Sequence, residues 1–346
     1  MKLLLFNART PETNRAYKAS QEVWRAYCEV YGVEVLDGDQ RTLVTYVAFL
    51  FQESEIKYST VKTRLAAVKA LHESHLCFKP RGPMSVLTNV LKGFRRLRDR
   101  KFASEPLTLG IIKKIVKTYP KDELRDTVEC VLAVGFWGLF RVGELVATKS
   151  NRASKHTMLM QNVSWRTRNH RVVSMVVRLP TCKSNQFGDK IHRVVMTCTC
   201  KVGLCPVHLT WKLLKTYSGK VVRGPVFRWA DDTFVTGGEL NKLIKKGCRE
   251  LKLPEKKFSA KCLRSGGARY MEQNGMALRM IQKLGRWSEG SKTFQNFYSK
   301  ASVGTIEAFL ERHMAQVSEP RARVHMAGVT RTSNPSTTST ERRRRG

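Results

Sequence analysis

The sequence predicts a mainly α-helical protein with a small antiparallel β-sheet, built as two domains and closed by a basic tail. Three observations predict it. Apolar residues recur at intervals of three and four over most of the chain, as amphipathic helices require. Between about 157 and 197 that pattern gives way to strand-like runs. At 101–108, "KFASEPLT", periodicity is lost and Pro106 interrupts the chain, so a linker is expected there. Residues 1–104 then form a helical domain, 105–318 a second domain, and 319–346, rich in Arg, Ser, Thr and Pro, a disordered tail.

In the first domain, Thr10 and Pro11 form a cap and a first-turn proline for a helix that places Tyr17, Ser20, Val23, Trp24, Tyr27 and Tyr31 at helical spacing before Gly32. Stripes through Leu43–Leu50, Val61–Leu71 and Val86–Phe94 add three more. The last runs into "RRLRDRK", a run equally suited to a solvated face and to tracking phosphates. In the second domain, "TVECVLAVGFWGLF" at 127–140 is apolar nearly all round, so it reads as a helix buried through the middle of a core. "VVSMVVRL" and "HRVVM" read as strands, and the turn-forming "PTCKSNQFGD" between them makes a hairpin with Lys183 near its tip. Helical patterns resume at 209–217, 238–251, 260–274 and 278–284, and "TIEAFLERHM" offers a last amphipathic helix.

Lysine and arginine total 63 against 28 acids, a net charge of +35. The tail's seven arginines and two acids account for only +5 of it, so the excess belongs to the folded body. Such a surplus repels itself unless a polyanion relieves it, and nucleic acid is the first candidate partner. The opening "MKLLLF" is too short for a signal-peptide core and no apolar run reaches membrane-spanning length, so no membrane association is expected. Nine cysteines, an odd number, fit reduced thiols and hence a nuclear or cytosolic setting.

Single lysines and arginines on such a chain are unremarkable; their context is not. Arg141, in "GLFRVGEL", directly follows the buried helix, where a charge must meet either Glu144 or an external anion. Arg264 follows "SAKCL" in the same way, with Lys261 three residues earlier on the same helical face. At these residues the chain resembles the tyrosine recombinases, the phage-integrase family. "GLFRVGELVAT" is similar to the family's first arginine box, "KCLRSGGARYM" to its second, and "IQKLGRWSEGSKTFQNFY" to the segment that ends in the tyrosine. "PETNRAYKASQEVWRAYCEVYG" and "YSTVKTRLAAVKALH" are similar to its helical DNA-clamping domain, so the resemblance extends to about residue 315.

The resemblance implies a two-domain DNA clamp with Tyr298 as nucleophile, Arg141 and Arg264 as the phosphate clamp, Lys183 as general acid, and Lys261 and Trp287 in support. The chemistry agrees. Guanidinium forks neutralise the non-bridging oxygens of a phosphodiester without titrating near neutral pH. A phenol with a pKa of about 10 attacks when nearby cations favour phenolate. The 3′-phosphotyrosine that results keeps the energy of the broken bond, so rejoining needs neither nucleotide nor metal. By the same resemblance four protomers act on two DNA sites, and a cysteine-rich insert similar to that of eukaryotic mobile-element recombinases suggests a mobile-element origin. Two departures stand out: Lys261 occupies a position usually held by histidine, and Trp287 and Tyr298 are eleven apart, slightly more than usual. Tyr270, on the helix of the second box, is the nearest rival to Tyr298 and reads as structural. Two other readings stay open, a type IB-like topoisomerase and a non-catalytic DNA-binding protein that keeps the fold.

"CTCKVGLCPVH" supplies four soft ligands, Cys198, Cys200, Cys205 and His208, within eleven residues. Zinc takes four such ligands tetrahedrally in closed structural sites. Cys-x-Cys is tighter than the usual gap, however, so reduced cysteines ahead of an ordinary helix start at Pro206 are the competing reading.

Overall fold

A computed structural model describes residues 2–75, 84–98, 104–183, 185–217, 223–291 and 294. The chain divides into two compact units, Met1–Ala103 and Ser104–Gly346.

The first unit is helical: α1 (Lys2–Asn7), α2 (Pro11–Tyr31), α3 (Gln40–Gln52), α4 (Tyr58–Ser74) and α5 (Ser85–Arg98). Thr10 caps α2 by accepting the Thr13 amide at 3.3 Å, Pro11 opens the helix, and Gly32 closes it with a left-handed φ of 62°. The core gathers Trp24, Tyr27 and Cys28 of α2, Tyr46, Val47 and Leu50 of α3, Val61, Val68 and Leu71 of α4 and Phe94 of α5. Each large side chain so buried contributes about 1.5–3 kcal/mol. Trp24 Nε1 and His72 Nε2 both meet the Val35 carbonyl, at 2.9 and 3.1 Å, and tie the α2–α3 loop to α4. Two of the expected core positions are corrected: Val86, in the first turn of α5, and Tyr31, at the end of α2, are exposed, although the Tyr31 ring packs on Tyr27 and Phe49 at the edge of the core. In the basic run, Arg98 lies over the Phe51 ring at 4.5 Å and donates to the Phe51 carbonyl at 2.7 Å, so this member braces the α3–α5 contact.

The second unit is organised around α7 (Glu123–Trp137), which follows α6 (Leu109–Lys117) and is buried from Thr127 to Phe136 apart from Glu129. After the single turn α8 (Val142–Leu145) come three strands, β1 (Val163–Arg168), β2 (Arg171–Leu179) and β3 (His192–Thr197), paired antiparallel in that order. The sheet thus has a strand that the expected hairpin lacks. β1, "VSWRTR", is charged and only half-buried, and its turn to β2 uses Asn169 and His170, both at positive φ (49° and 59°), in place of the usual glycine. The β2–β3 register runs from Ser174 opposite Thr197 to Leu179 opposite His192. Among the described residues four helices follow: α9 (Pro206–Thr216), α10 (Gly237–Glu250), α11 (Lys261–Gln273) and α12 (Leu278–Gly285). α11 passes close to the backbone of the preceding elements, because a Cβ at Gly266 would overlap the Leu107 carbonyl and one at Gly267 the Phe136 carbonyl. Those two glycines set how near Arg264 comes to the end of α7. The expected tail at 319–346 and the helix expected from "TIEAFLERHM" lie outside the described residues.

Candidate active site

The site grows from the C-terminal end of α7. The buried helix stops at Gly138, and Leu139 adopts a left-handed φ of 48°, which turns the chain and delivers Arg141 as the residue before α8. That conformation costs a leucine about 1–2 kcal/mol. It also presents the Leu139 carbonyl to two guanidiniums, Arg264 Nη1 at 2.7 Å and Arg286 Nη2 at 3.0 Å. Arg286 itself sits at a left-handed φ of 58° at the end of α12, a turn that folds its side chain back into the core.

Glu144 holds the centre. Its Oε1 accepts from Arg141 Nη1 at 2.6 Å, and its Oε2 accepts from the Arg141 amide at 2.9 Å and from Arg286 Nη2 at 2.7 Å. The carboxylate and the Arg286 side chain are 2% and 1% exposed, so this is a buried ion pair, whereas Arg141 is 25% exposed and lies at the surface edge of the cluster. Burial, the largest influence on Glu144, alone would raise its pKa. The guanidiniums of Arg286 and Arg141 and the hydrogen bonds to the carboxylate outweigh burial, and the group ends below its ordinary value. Both answers that the sequence left open for Arg141 therefore have room: Glu144 takes one Nη1 proton, and Nη2 donates to the Arg286 carbonyl at 3.3 Å. Three of the five guanidinium protons point elsewhere.

Arg264 completes the cluster from α11. Its Nη2 donates to the Gly285 carbonyl and its guanidinium lies 3.9 Å from the centroid of the Trp287 ring. Trp287 fits because Gly285 has no side chain, and it packs on Phe294 with ring centroids 5.2 Å apart. Arg141, Arg264 and Trp287 are thus brought together around the turns at 138–141 and 285–287.

The two lysines stand at exposed positions. Lys261 is the first residue of α11. Lys183 occupies the β2–β3 connection, which is tied back toward α8: Lys155 Nζ donates to the Gln186 carbonyl at 3.1 Å, His156 Nδ1 meets Thr181 Oγ1 at 2.8 Å, and Ser154 Oγ donates to the Gly143 carbonyl at 3.3 Å. His192, at the start of β3, has its pKa lowered, first by burial and then by the charges of Arg286 and Arg141, against the opposing pull of Glu144. The start of β3 therefore lies within electrostatic reach of the arginines. Tyr298 lies outside the described residues. Tyr270 packs its ring against Phe136 and Trp137, 5.8 and 5.3 Å between centroids, as a structural residue does. Cys198, Cys200, Cys205 and His208 meet in a separate cluster, their ligand atoms all within 4.8 Å of one another.

Sequence reasoning missed Arg286 and His192. Arg286 had a signal, a charge placed between the glycine and tryptophan of "LGRW", but its partner Glu144 is 142 residues away.

No family model and no curated protein sequence matches the chain. Solved structures do. A XerH site-specific recombinase bound to palindromic difH substrate, in a post-cleavage complex, superposes with a TM-score of 0.55 at 13% identity, over 80% of this chain and 72% of that one. A lambda integrase dimer bound to a COC′ core site gives 0.55 at 13%, over 86% and 91%. The Tn1549 transposon integrase with transposon right-end DNA gives 0.51 at 15%, over 79% and 85%. The mainly helical chain with its three-stranded antiparallel sheet thus has the fold of the tyrosine recombinases and integrases.

Proposed function

We propose that this chain is a site-specific DNA recombinase or integrase that cleaves and rejoins double-stranded DNA through a 3′-phosphotyrosine intermediate. One observation carries the reading: Arg141, from the turn after α7, and Arg264, from α11, converge on one pair of turns beside Trp287, with Arg141 held by a buried carboxylate. The fold supports it, since the chain shares it with a recombinase on its difH substrate, an integrase on its core site and a transposon integrase on transposon-end DNA.

In the proposed step, Arg141 and Arg264 bind the non-bridging oxygens of one backbone phosphate and stabilise the charge that builds as it is attacked. Tyr298 Oη bonds to phosphorus, its phenolic proton passing to water, and the bond from phosphorus to the 5′ oxygen breaks. Lys183 Nζ donates a proton to that leaving oxygen as the bond to phosphorus breaks. Lys261 adds positive field near the phosphate, as a stabiliser rather than a base. Trp287 supports Arg264 from its stacked face. Religation reverses the step on a new 5′ hydroxyl. The same reading includes four protomers on two DNA sites, a mobile-element origin and action in the nucleus.

The test is incubation with supercoiled plasmid followed by denaturation. Protein covalently joined to the 3′ end, together with joining of two different duplexes, is the expected result. Relaxation without joining would indicate a topoisomerase, and no covalent protein under any condition a DNA-binding protein without turnover.

A further inference from the structure

We propose that Cys198, Cys200, Cys205 and His208 bind one zinc ion in a closed, structural site. The proposal stands apart from the DNA reading, because none of these residues belongs to the arginine cluster. Its basis is the environment of His208 Nδ1, which lies 3.6, 3.0 and 3.4 Å from the sulfurs of Cys198, Cys200 and Cys205. A ring nitrogen carries either one proton or one lone pair, so it can satisfy one thiol as a hydrogen-bond partner but not three. A tetrahedral ion explains all three contacts at once. With Zn–S of about 2.3 Å and Zn–N of about 2.0–2.1 Å, sulfur and nitrogen ligands stand about 3.6 Å apart, and the observed separations lie at or a little below that value.

The local backbone builds this geometry. The Cys198 amide donates to the Val173 carbonyl at 2.9 Å, which prolongs the β2–β3 pairing past Thr197. Cys198 thus stands at the end of the strand pairing and Cys200 in the turn that follows, so the Cys-x-Cys pair straddles the point where the chain leaves the sheet. The chain then reverses: the Val202 and Gly203 amides both donate to the Thr199 carbonyl at 2.9 Å, and Gly203 and Leu204 take positive φ of 87° and 49°. Cys205 arrives as the residue before α9, Pro206 opens that helix, and His208 lies in its first turn, facing back toward the cysteines. The Thr199 amide donates to Cys205 Sγ at 3.3 Å, a bond that stabilises negative charge on a liganding sulfur.

Four protein ligands leave no open position, so the ion would staple the end of β3 to the start of α9 and would not act on a substrate. The staple has a recipient. The Leu204 carbonyl accepts from Trp137 Nε1 at 2.9 Å, so the stapled turn braces the last residue of α7, the helix that delivers Arg141.

The test uses the full chain, purified reduced from zinc-supplied cells and dialysed against metal-free buffer. One zinc per chain by elemental analysis is expected, with three thiols released only on denaturation or chelation. Cobalt exchange should give thiolate charge-transfer and tetrahedral ligand-field absorption. Cys200→Ser and His208→Ala should each lose the metal, while His170→Ala, in the β1–β2 turn, should keep it. A folded wild-type chain without stoichiometric zinc or the cobalt bands overturns the proposal, as does a disulfide among the three cysteines in the reduced preparation. Zinc retained by both ligand variants does the same. If a variant fails to fold, the wild-type zinc and cobalt readings decide.

Discussion

At the residue scale the deciding group is Glu144, a buried carboxylate between two guanidiniums. Breaking a buried pair by removing one partner leaves an uncompensated charge and costs about 3–5 kcal/mol. Glu144→Gln should therefore lower stability by about that amount in denaturant titration. The same pair sets a pH dependence. Glu144's folded pKa lies below its ordinary value, so its contribution is present above the unfolded carboxylate range and is lost as pH falls through the folded pKa. Wild-type stability should thus fall as pH drops below the ordinary carboxylate range, and Glu144→Gln should flatten that acid limb of stability against pH. Arg264→Lys keeps the charge but loses the planar fork and the stack on Trp287, so strand cleavage should slow about 10²-fold or more with little change in DNA affinity. Of these residues, Arg141 and Glu144 were legible because they are three apart in sequence, and burial of the preceding helix forced them to meet. Arg286 was not, since its ion pair is created only when α12 returns to the end of α7.

At the scale of elements, the close approach of α11 to the core fixes the position of Arg264, and glycine permits it. Gly267→Ala should destabilise the chain by about 3 kcal/mol, because its Cβ meets a backbone carbonyl that cannot rotate away, and thermal melting checks this. Gly275→Ala has open space around its Cβ but a positive φ of 85°, so it should cost less, about 1 kcal/mol. The helices that periodicity marked were legible to within a few residues, since periodicity and caps such as Thr10 with Pro11 act locally, whereas the short α1 and α6 were not read. β1 was not, because half-buried strands carry charged residues on the open face and its Asn–His turn lacks the glycine that usually marks a hairpin. Arg95 and Arg98 of the "RRLRDRK" run show why charge runs mislead: composition marks solvated or phosphate-facing residues, while these guanidiniums lie over the Tyr58 and Phe51 rings.

At the scale of the molecule, the net charge of +35 makes salt the lever on DNA binding. If binding neutralises about 6–10 phosphates, affinity should fall about 10³–10⁵-fold between about 50 and 200 mM salt, linearly on logarithmic axes, which filter binding or anisotropy would read. The fold was legible at this scale because the helix, strand and helix blocks follow one another along the chain; the clustering of arginines was legible only through its likeness to known motifs, as contacts between distant segments leave no periodic trace. The most direct measurement is covalent capture on a nicked duplex whose released fragment cannot religate, comparing the wild type with Tyr298→Phe. Wild-type protein joined to the 3′ phosphate, with the DNA-linked peptide containing Tyr298, and no capture by the variant, is the predicted result. Undiminished capture by Tyr298→Phe, or linkage through Tyr270 or a 5′ phosphate, would contradict the account.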